Sequence, residues 1–201
     1  MTRLKQEFFN RGTVVVAKDL LGKYLVRRIG RKIIRARITE TEAYCGIKDN
    51  ACHASKGLTE RTKVMFGPPG RAYVYLIYGM HHCLNVVTME EGRPEAVLIR
   101  AAEIKNSKIK MQNDSFDTTQ GHPERSRTDD NVKLKILRGP GILCRELKID
   151  KKFNGIDICN SKKLWTEDNL SEKRPRIKRG KRIGIEYAGS YKDKLWRFYI
   201  E

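Results

Sequence analysis

Two glutamates and a tyrosine alternate along one segment that has strand character. Within residues 37–44, Glu40, Glu42 and Tyr44 are each two positions apart. Because side chains alternate between the faces of a β-strand, these three share one face. Paired carboxylates serve sugar hydrolases as acid and base, and hydrolysis of an N-glycosidic bond is chemically close to that reaction. The alternative is that both glutamates merely form the solvated face of an exposed strand.

A second segment, residues 73–80, brings aromatic side chains to a tight turn. Gly79-Met80 predicts a two-residue hairpin of type II′, with Tyr78 and Met80 at its tip, where few core partners exist. A projecting aromatic ring could wedge between base pairs and fill the space left by an extruded nucleotide. Tyr44 and Tyr75 could then stack on that base. The alternative is that these tyrosines are ordinary packing residues.

The charge balance points to a polyanionic partner. The 201 residues include 42 Lys and Arg against 24 Asp and Glu, which gives a net charge of +18. Such an excess favours nucleic acid as the partner, with an anionic membrane surface second. No run of 18 apolar residues and no secretory signal is recognisable, so we expect an intracellular protein without a membrane span, in the cytoplasm and nucleoid, or in the nucleus of a nucleated cell.

A metal site is disfavoured, although several potential ligands lie in one third of the chain. No Cys-x-x-Cys pair occurs, and His53 is followed by Ala54-Ser55, so the His-x-Glu signature of zinc nucleobase deaminases is missing. We therefore expect no metal and five reduced thiols. The residues concerned are Cys45, Cys52, His53, His81, His82 and Cys83.

The elements that must position these residues are mostly strands. Apolar and β-branched residues predict strands, and a helix closed by Gly22 is predicted before them at 7–21. Residues 45–70, rich in Gly and Pro, predict an irregular loop, and a second helix is expected after Gly139-Pro140-Gly141, through Lys148. The predicted strands are Lys23–Arg28, Lys32–Tyr44, Ala72–Tyr78, His81–Thr88, Glu95–Ala102, Arg182–Ala188 and Trp196–Ile200.

Together these elements predict the α+β class. We expect a single compact domain over residues 1–201, built around a curved antiparallel β-sheet with a projecting β-hairpin and flanking helices. Residues 105–132 are polar and lack periodicity, so they are expected to be a surface insertion.

Taken together, the motifs resemble the 3-methyladenine (alkyladenine) DNA glycosylase family in order and spacing. The similarity runs over most of residues 8–102, resumes further on, and covers the bulk of the chain. The segments that carry it are residues 37–44, Ala51-Cys52-His53-Ala54, 65–70, 73–80, Cys83-Leu84-Asn85-Val86, 97–101, 139–144 and Arg182-Ile183-Gly184.

The resemblance implies a monomeric enzyme without metal or cofactor that binds the minor groove of duplex DNA. It would flip alkylated or deaminated purines out of the helix and hydrolyse their bond to deoxyribose, leaving an abasic site. By matched position Glu42 would be the general base, while Arg100 and the backbone carbonyl of Ile183 would help to hold the attacking water. Tyr78 would fill the vacated stack, with Met80 supporting it.

The resemblance also implies a pocket for the flipped base. Tyr44 and Tyr75 would sandwich the base, and His53 would offer a polar contact to its edge. Asn85 would border the pocket and help to exclude bases that carry a 2-amino group. His81-His82, where the family commonly has aromatic residues, leaves the substrate range open.

Two alternatives belong to other classes of protein. The chain could be a non-catalytic nucleic-acid-binding module, in which the charge and the exposed aromatic rings only hold DNA or RNA. A nucleobase deaminase is the less favoured alternative because the metal signature is missing.

Overall fold

A computed structural model describes residues 1–106 and 133–200, which contain ten strands and three short helices. Four further 3-10 turns lie at His53–Lys56, Lys63–Phe66, Lys151–Phe153 and Gly189–Asp193. The elements in chain order are β1 (Thr2–Arg3), α1 (Gln6–Phe9), α2 (Thr13–Asp19), β2 (Tyr24–Ile29), β3 (Lys32–Tyr44), β4 (Ala72–Ile77), β5 (His81–Thr88), β6 (Glu95–Asn106), β7 (Lys133–Arg138), α3 (Pro140–Glu146), β8 (Leu164–Asp168), β9 (Ile177–Gly180) and β10 (Arg197–Ile200).

The strands form one antiparallel sheet in which β3 has three neighbours. The main path runs β1-β8-β2-β3-β6-β5-β4, and β7 pairs with β6 while β10 bridges β3 and β9. Residues 32–37 of β3 pair with β2, and residues 40–42 pair with β10 on the same side. The α+β class is confirmed, and the second half of β3 lies at the centre of the sheet.

An irregularity in the pairing of β3 with β6 sets the direction of one side chain. Thr41 pairs with Ile99 and Glu40 pairs with Ala101, so Arg100 is an extra residue on β6 at this point. Such bulges bend a strand and re-aim the extra side chain, and they are frequent beside active sites. The consequence is that Arg100 can reach carboxylates on β3.

The main hydrophobic core lies between this sheet and the helices. Val16 and Ala17 of α2 belong to one buried cluster with Ile38 of β3 and Ile99 of β6. Each fully buried large apolar side chain contributes roughly 1.5–3 kcal/mol to folding. A hydrogen bond from the Thr41 hydroxyl to the Ala17 carbonyl oxygen, at 2.7 Å, ties α2 to β3. The core therefore fixes the strand from which Glu42 projects.

Several predicted elements differ in the structure. The predicted helix over 7–21 is wrong: α1 and α2 are separate because Asn10 leaves the helical region at ψ 56°. The predicted strand Arg182–Ala188 is also wrong, since the segment turns at Gly184, with φ +76°, and again between Ile185 and Ala188. Strands β1, β7, β8 and β9 were not predicted.

The predicted polar insertion falls largely outside the described residues. Residues 105 and 106 belong to β6, which is longer than predicted, and residues 107–132 are not described. The expectation of a single domain over 1–201 stays a prediction.

The hairpin between β4 and β5 has a three-residue loop, not the predicted two-residue II′ turn. Tyr78 and Gly79 both have positive φ, of 52° and 69°, and the Met80 amide donates to the Ile77 carbonyl oxygen at 3.2 Å. Positive φ at both central residues is the feature of a type I′ turn. For a bulky residue such as tyrosine this conformation is strained by roughly 1–2 kcal/mol.

A glycine test checks the packing of the loop before β4. Gly70 has φ +83°, and a Cβ atom there would lie 2.5 Å from the Cys159 sulfur. We expect Gly70→Ala to lower the free energy of unfolding by roughly 2–5 kcal/mol, from left-handed strain and overpacking together. The matched control is Gly30→Ala, at a glycine with φ +57° and open space around it. It should lower the free energy of unfolding by only about 1–2 kcal/mol. Urea unfolding measures both, and equal losses would contradict this packing.

Candidate active site

Glu42 is a fully buried carboxylate whose oxygens accept two hydrogen bonds and lie beside one cation. The Tyr44 hydroxyl donates to Oε2 at 2.9 Å, and the Ile183 backbone N–H donates to Oε1 at 3.0 Å. Nη1 of Arg100 lies 3.5 Å from the same Oε1. These three partners come from β3, from β6 and from the loop between β9 and β10. Since each oxygen can accept two hydrogen bonds, Oε2 retains capacity for one more donor.

Two opposing effects act on the pKa of Glu42. Burial raises the pKa above its ordinary value, and this is the largest effect. Arg100, the Ile183 N–H and the Tyr44 hydroxyl lower it, because each stabilises the ionised form. Arg100 is itself held by Glu40, whose Oε1 lies 3.2 Å from its Nε. The result is a carboxylate with a raised pKa that nevertheless has three partners for its charged state.

A cavity of about 120 Å³ lies beside this carboxylate. Six residues predicted from the sequence line it, although they come from distant parts of the chain. They are Tyr44, His53, Tyr75, Asn85, Arg100 and Ile183. Glu42 itself does not line the cavity, but its two hydrogen-bond donors and Arg100 do. The carboxylate thus lies one layer behind the wall.

Aromatic side chains form the part of the cavity around His53. The rings of His53 and Tyr75 contact edge to face, with centroids 4.5 Å apart, and His53 Nδ1 lies 2.9 Å from the Tyr73 hydroxyl. Burial and, as the smaller effect, the Arg61 guanidinium together lower the pKa of His53 to about 4. That guanidinium also lies over the Tyr75 ring, 5.2 Å from its centroid. His53 is therefore neutral at pH 7.

Asn85 is also buried in this wall. It lies on β5, and its side-chain Nδ2 donates to the Tyr73 carbonyl oxygen at 3.2 Å. This hydrogen bond fixes the amide of Asn85 at the cavity.

The hairpin residues lie outside the cavity. Tyr78 and Met80 are 83% and 72% exposed, whereas the preceding residue Ile77 lines the cavity. The hairpin therefore rises from the cavity edge and carries two large apolar side chains into solvent.

A buried ion pair lies behind Tyr44 and was missed in the sequence. Asp49 and Arg182 are joined by two hydrogen bonds of 2.5 and 2.8 Å, and the Arg182 guanidinium lies 4.8 Å from the centroid of the Tyr44 ring. Arg182 belongs to the Arg182-Ile183-Gly184 motif, but nothing in the sequence names Asp49 as its partner. Tyr73 was missed too, although its spacing of two from Tyr75 places both on one face of β4.

The predicted role of Ile183 differs from the contact that the structure shows. We expected its backbone carbonyl to hold water, whereas the observed contact is its backbone N–H donating to Glu42. The role of the carbonyl stays a prediction. The idea that Glu40 and Glu42 form a solvated face is wrong, because Glu42 has no exposed surface and Glu40 binds both Arg100 and Arg197.

Over residues 1–106 and 133–200, no three His, Cys, Asp or Glu side chains come together as a potential metal site. All five cysteines are free. No helix in this part of the chain has the length and apolar character needed to cross a bilayer.

A buried acid behind an aromatic cavity, on a strongly basic chain, is the arrangement of a hydrolase that acts on nucleic acid. Comparison with known proteins identifies the family. The sequence model of methylpurine-DNA glycosylase matches residues 7–201. The chain belongs to the methylpurine-DNA glycosylase family, and it is a DNA glycosylase.

Full-length relatives agree with this assignment. A protein of Desulfitobacterium hafniense (strain Y51) is 48% identical over 202 residues, which cover 100% of this chain and 96% of the relative. One of Methanocella arvoryzae is 46% identical over 199 residues, covering 99% and 92%. One of Legionella pneumophila (strain Corby) is 46% identical over 202 residues, covering 100% and 96%. All three are provisionally named 3-methyladenine DNA glycosylase.

The protonation state of His53 can be tested directly. We expect its imidazole to stay neutral down to about pH 5, since burial and Arg61 hold its pKa near 4. Removing the cation in Arg61→Gln should raise the pKa of His53. NMR titration of the ring resonances measures both, with Lys63→Gln, an exposed cation paired with Glu60, as the control. Titration near pH 6.5 in the parent protein would contradict the assignment.

Proposed function

We propose that this glycosylase flips alkylated or deaminated purines from duplex DNA into the cavity and hydrolyses their N-glycosidic bond with a water activated by Glu42. One observation carries the proposal: a carboxylate without exposed surface, held by two hydrogen-bond donors and the Arg100 cation, all of which line the cavity. Burying a charge in this way costs considerable folding free energy, and such groups are typical of catalytic sites.

For a purine methylated at a ring nitrogen the reaction balances with these groups alone, whereas a neutral deaminated purine would also take up a proton from solvent as it leaves. The water oxygen forms a bond to C1′ while the bond from C1′ to the base nitrogen breaks, and its electron pair leaves with the base. A purine methylated at a ring nitrogen is positively charged, so it leaves as a neutral base. The water proton passes to Glu42, and the same carboxylate stabilises positive charge on the sugar as it develops. General base action contributes a factor of roughly 10²–10⁴.

The cavity wall supports recognition of a purine. Tyr44 and Tyr75 offer ring faces, which attract an electron-poor cationic base more strongly than a neutral one. His53, being neutral, contributes a polar contact without adding a positive charge. Asn85, held by the Tyr73 carbonyl, borders the space in which a 2-amino group would have to fit.

The exposed hairpin supports a wedge role for Tyr78, with Met80 beside it. A strained, almost fully exposed tyrosine has no packing function, and strain of this kind is retained where it serves a site. The net charge of +18 supports binding to the phosphate backbone, with an affinity that falls steeply as salt is added. We propose that the protein acts as a monomer, within the cell, without metal or cofactor.

The lining of the cavity also supports a monofunctional reaction. In the described part of the chain no lysine lines it, so no amine is available there to attack the sugar. The product would be an abasic site in an intact strand.

Replacing Glu42 tests the proposed chemistry. Glu42→Gln keeps the shape of the side chain but removes the base and replaces one of its two acceptor oxygens by an NH2 group, so excision of methylated purines should fall at least about 10²-fold. Duplex binding should remain within about twofold, since the buried Glu42 has no exposed surface to offer to a duplex. Single-turnover excision and equilibrium binding measure the two effects.

The control is Glu103→Gln, which removes a carboxylate on the neighbouring β6 that pairs with Arg37. This variant should excise at the parental rate. If Glu42→Gln excises as fast as the parent, the proposed base is wrong. If the parent protein itself binds the duplex but does not excise methylated purines, the alternative of a non-catalytic nucleic-acid-binding module is favoured instead.

Replacing Tyr78 tests the wedge. Tyr78→Ala should weaken binding to a duplex with an abasic site by about tenfold or more, because stacking of a base on an aromatic ring is worth roughly 1–3 kcal/mol. Binding to undamaged duplex should change much less. Leu58→Ala, at another exposed apolar residue, is the matched control and should affect neither. Equal losses on both duplexes in Tyr78→Ala would mean that the ring is not a wedge.

A further inference from the structure

The pair formed by Asp49 and Arg182 has no part in the chemistry above, yet it is among the most buried groups of the protein. Both side chains have no exposed surface. Removing two charges from water is expensive, and apolar residues often fill such a space with equal or better stability. A role beyond stability therefore has to be considered for this pair.

The contacts of Arg182 connect two parts of the site. Its Nη1 donates to the Ala43 carbonyl oxygen at 2.9 Å, between Glu42 and Tyr44 on β3. Its Nη2 donates to the Tyr191 carbonyl oxygen at 3.3 Å, in the loop between β9 and β10. The guanidinium thus connects β3 to the loop between β9 and β10. Arg182 directly precedes Ile183, whose N–H donates to Glu42.

Asp49 and the aromatic rings fix this guanidinium in turn. The carboxylate of Asp49 also accepts from the backbone N–H groups of Cys45 and Ala51, both at 3.1 Å. The guanidinium lies between two rings, 4.8 Å from the centroid of Tyr44 and 5.1 Å from that of Trp196. The Arg182 guanidinium is therefore fixed by the carboxylate of Asp49 and by two aromatic rings, one of which is that of Tyr44.

We propose that Asp49 and Arg182 form a positioning pair for the reaction, which holds the Ile183 N–H and the Tyr44 hydroxyl on the carboxylate of Glu42. The proposal rests on the proposed role of Glu42 as the base. Neither member contacts the cavity, since Asp49 and Arg182 are absent from its lining within the described residues. The pair acts only through the two donors that it holds.

The protonation of Glu42 reports on this role. Glu42 must be ionised to accept a proton, so excision falls as the pH drops through its pKa. Loss of a donor raises that pKa, because the donor stabilises the charged form. The other groups that face Glu42 remain in place: Arg100 on β6, Cys83 on β5, Glu40 on β3, and Arg197, which is its register partner on β10 and binds Glu40.

Two variants loosen the pair without changing its net charge. Arg182→Lys keeps the cation but loses the planar fork that holds four acceptors. The double variant Asp49→Asn/Arg182→Gln removes both charges, so no unpaired charge is left buried and the chain can still fold. The net charge of the pair is therefore unchanged in both, and Arg182→Lys also keeps a cation at this position. The matched control is Glu167→Gln, which breaks the partly buried pair with Arg35 at a distant strand, β8.

The experiment is the pH dependence of single-turnover release of methylated purines from methylated duplex DNA, with thermal unfolding of each variant alongside. The methylated base already carries its charge, so the acidic limb reports on the base of the enzyme. We expect that limb to move up by about one pH unit in both variants, as for loss of a hydrogen bond to a charged group. It should stay unchanged in Glu167→Gln, whatever its loss of stability.

The outcomes separate this inference from the proposed function. An unchanged acidic limb in folded Arg182→Lys or in the double variant overturns the positioning role and leaves Glu42 as the base. An acidic limb that moves equally in Glu167→Gln also overturns it, since general destabilisation then explains the effect. Full activity of Glu42→Gln overturns the proposed function itself.

Discussion

The burial of one carboxylate is the constraint on which the rest of this structure depends. Glu42 has no exposed surface, so its charge is tolerable only because two hydrogen-bond donors and one cation, from three separate elements, converge on it. Each partner requires its own support: β3 supplies Tyr44, a bulge on β6 turns Arg100 towards the strand, and the loop after β9 brings in Ile183. Much of the architecture around β3 can be understood as meeting this requirement.

The same arrangement links stability to function. A buried acid with a raised pKa destabilises the folded chain, whereas the core beneath β3 stabilises it. The strained Tyr78 turn and the fully buried Asp49 and Arg182 are further features that stability alone does not require. All of them lie at the cavity, behind its wall or at the hairpin on its edge. This distribution is typical of enzymes, in which local strain and burial are concentrated at the site.

How much could be predicted from the sequence depended on the physical signal at each residue. Strands β3 and β5 carry long β-branched and apolar patterns, so they were predicted in full, and β6 was predicted as far as Ala102. The six cavity residues were predicted through family motifs, which encode their three-dimensional arrangement. By contrast, β9 reads Ile-Lys-Arg-Gly and has no alternation to detect. The partner of Arg182 and the N–H contact of Ile183 depend on tertiary packing, which local sequence does not contain.

The central claim is that Glu42 faces C1′ of a nucleotide swung out of the helix. The most direct test is a crystal structure of Glu42→Gln bound to a duplex with an alkylated purine. The account predicts the base between Tyr44 and Tyr75, with a water between the side chain of residue 42 and C1′. A base that remains stacked in the duplex, or an anomeric carbon remote from residue 42, would contradict it.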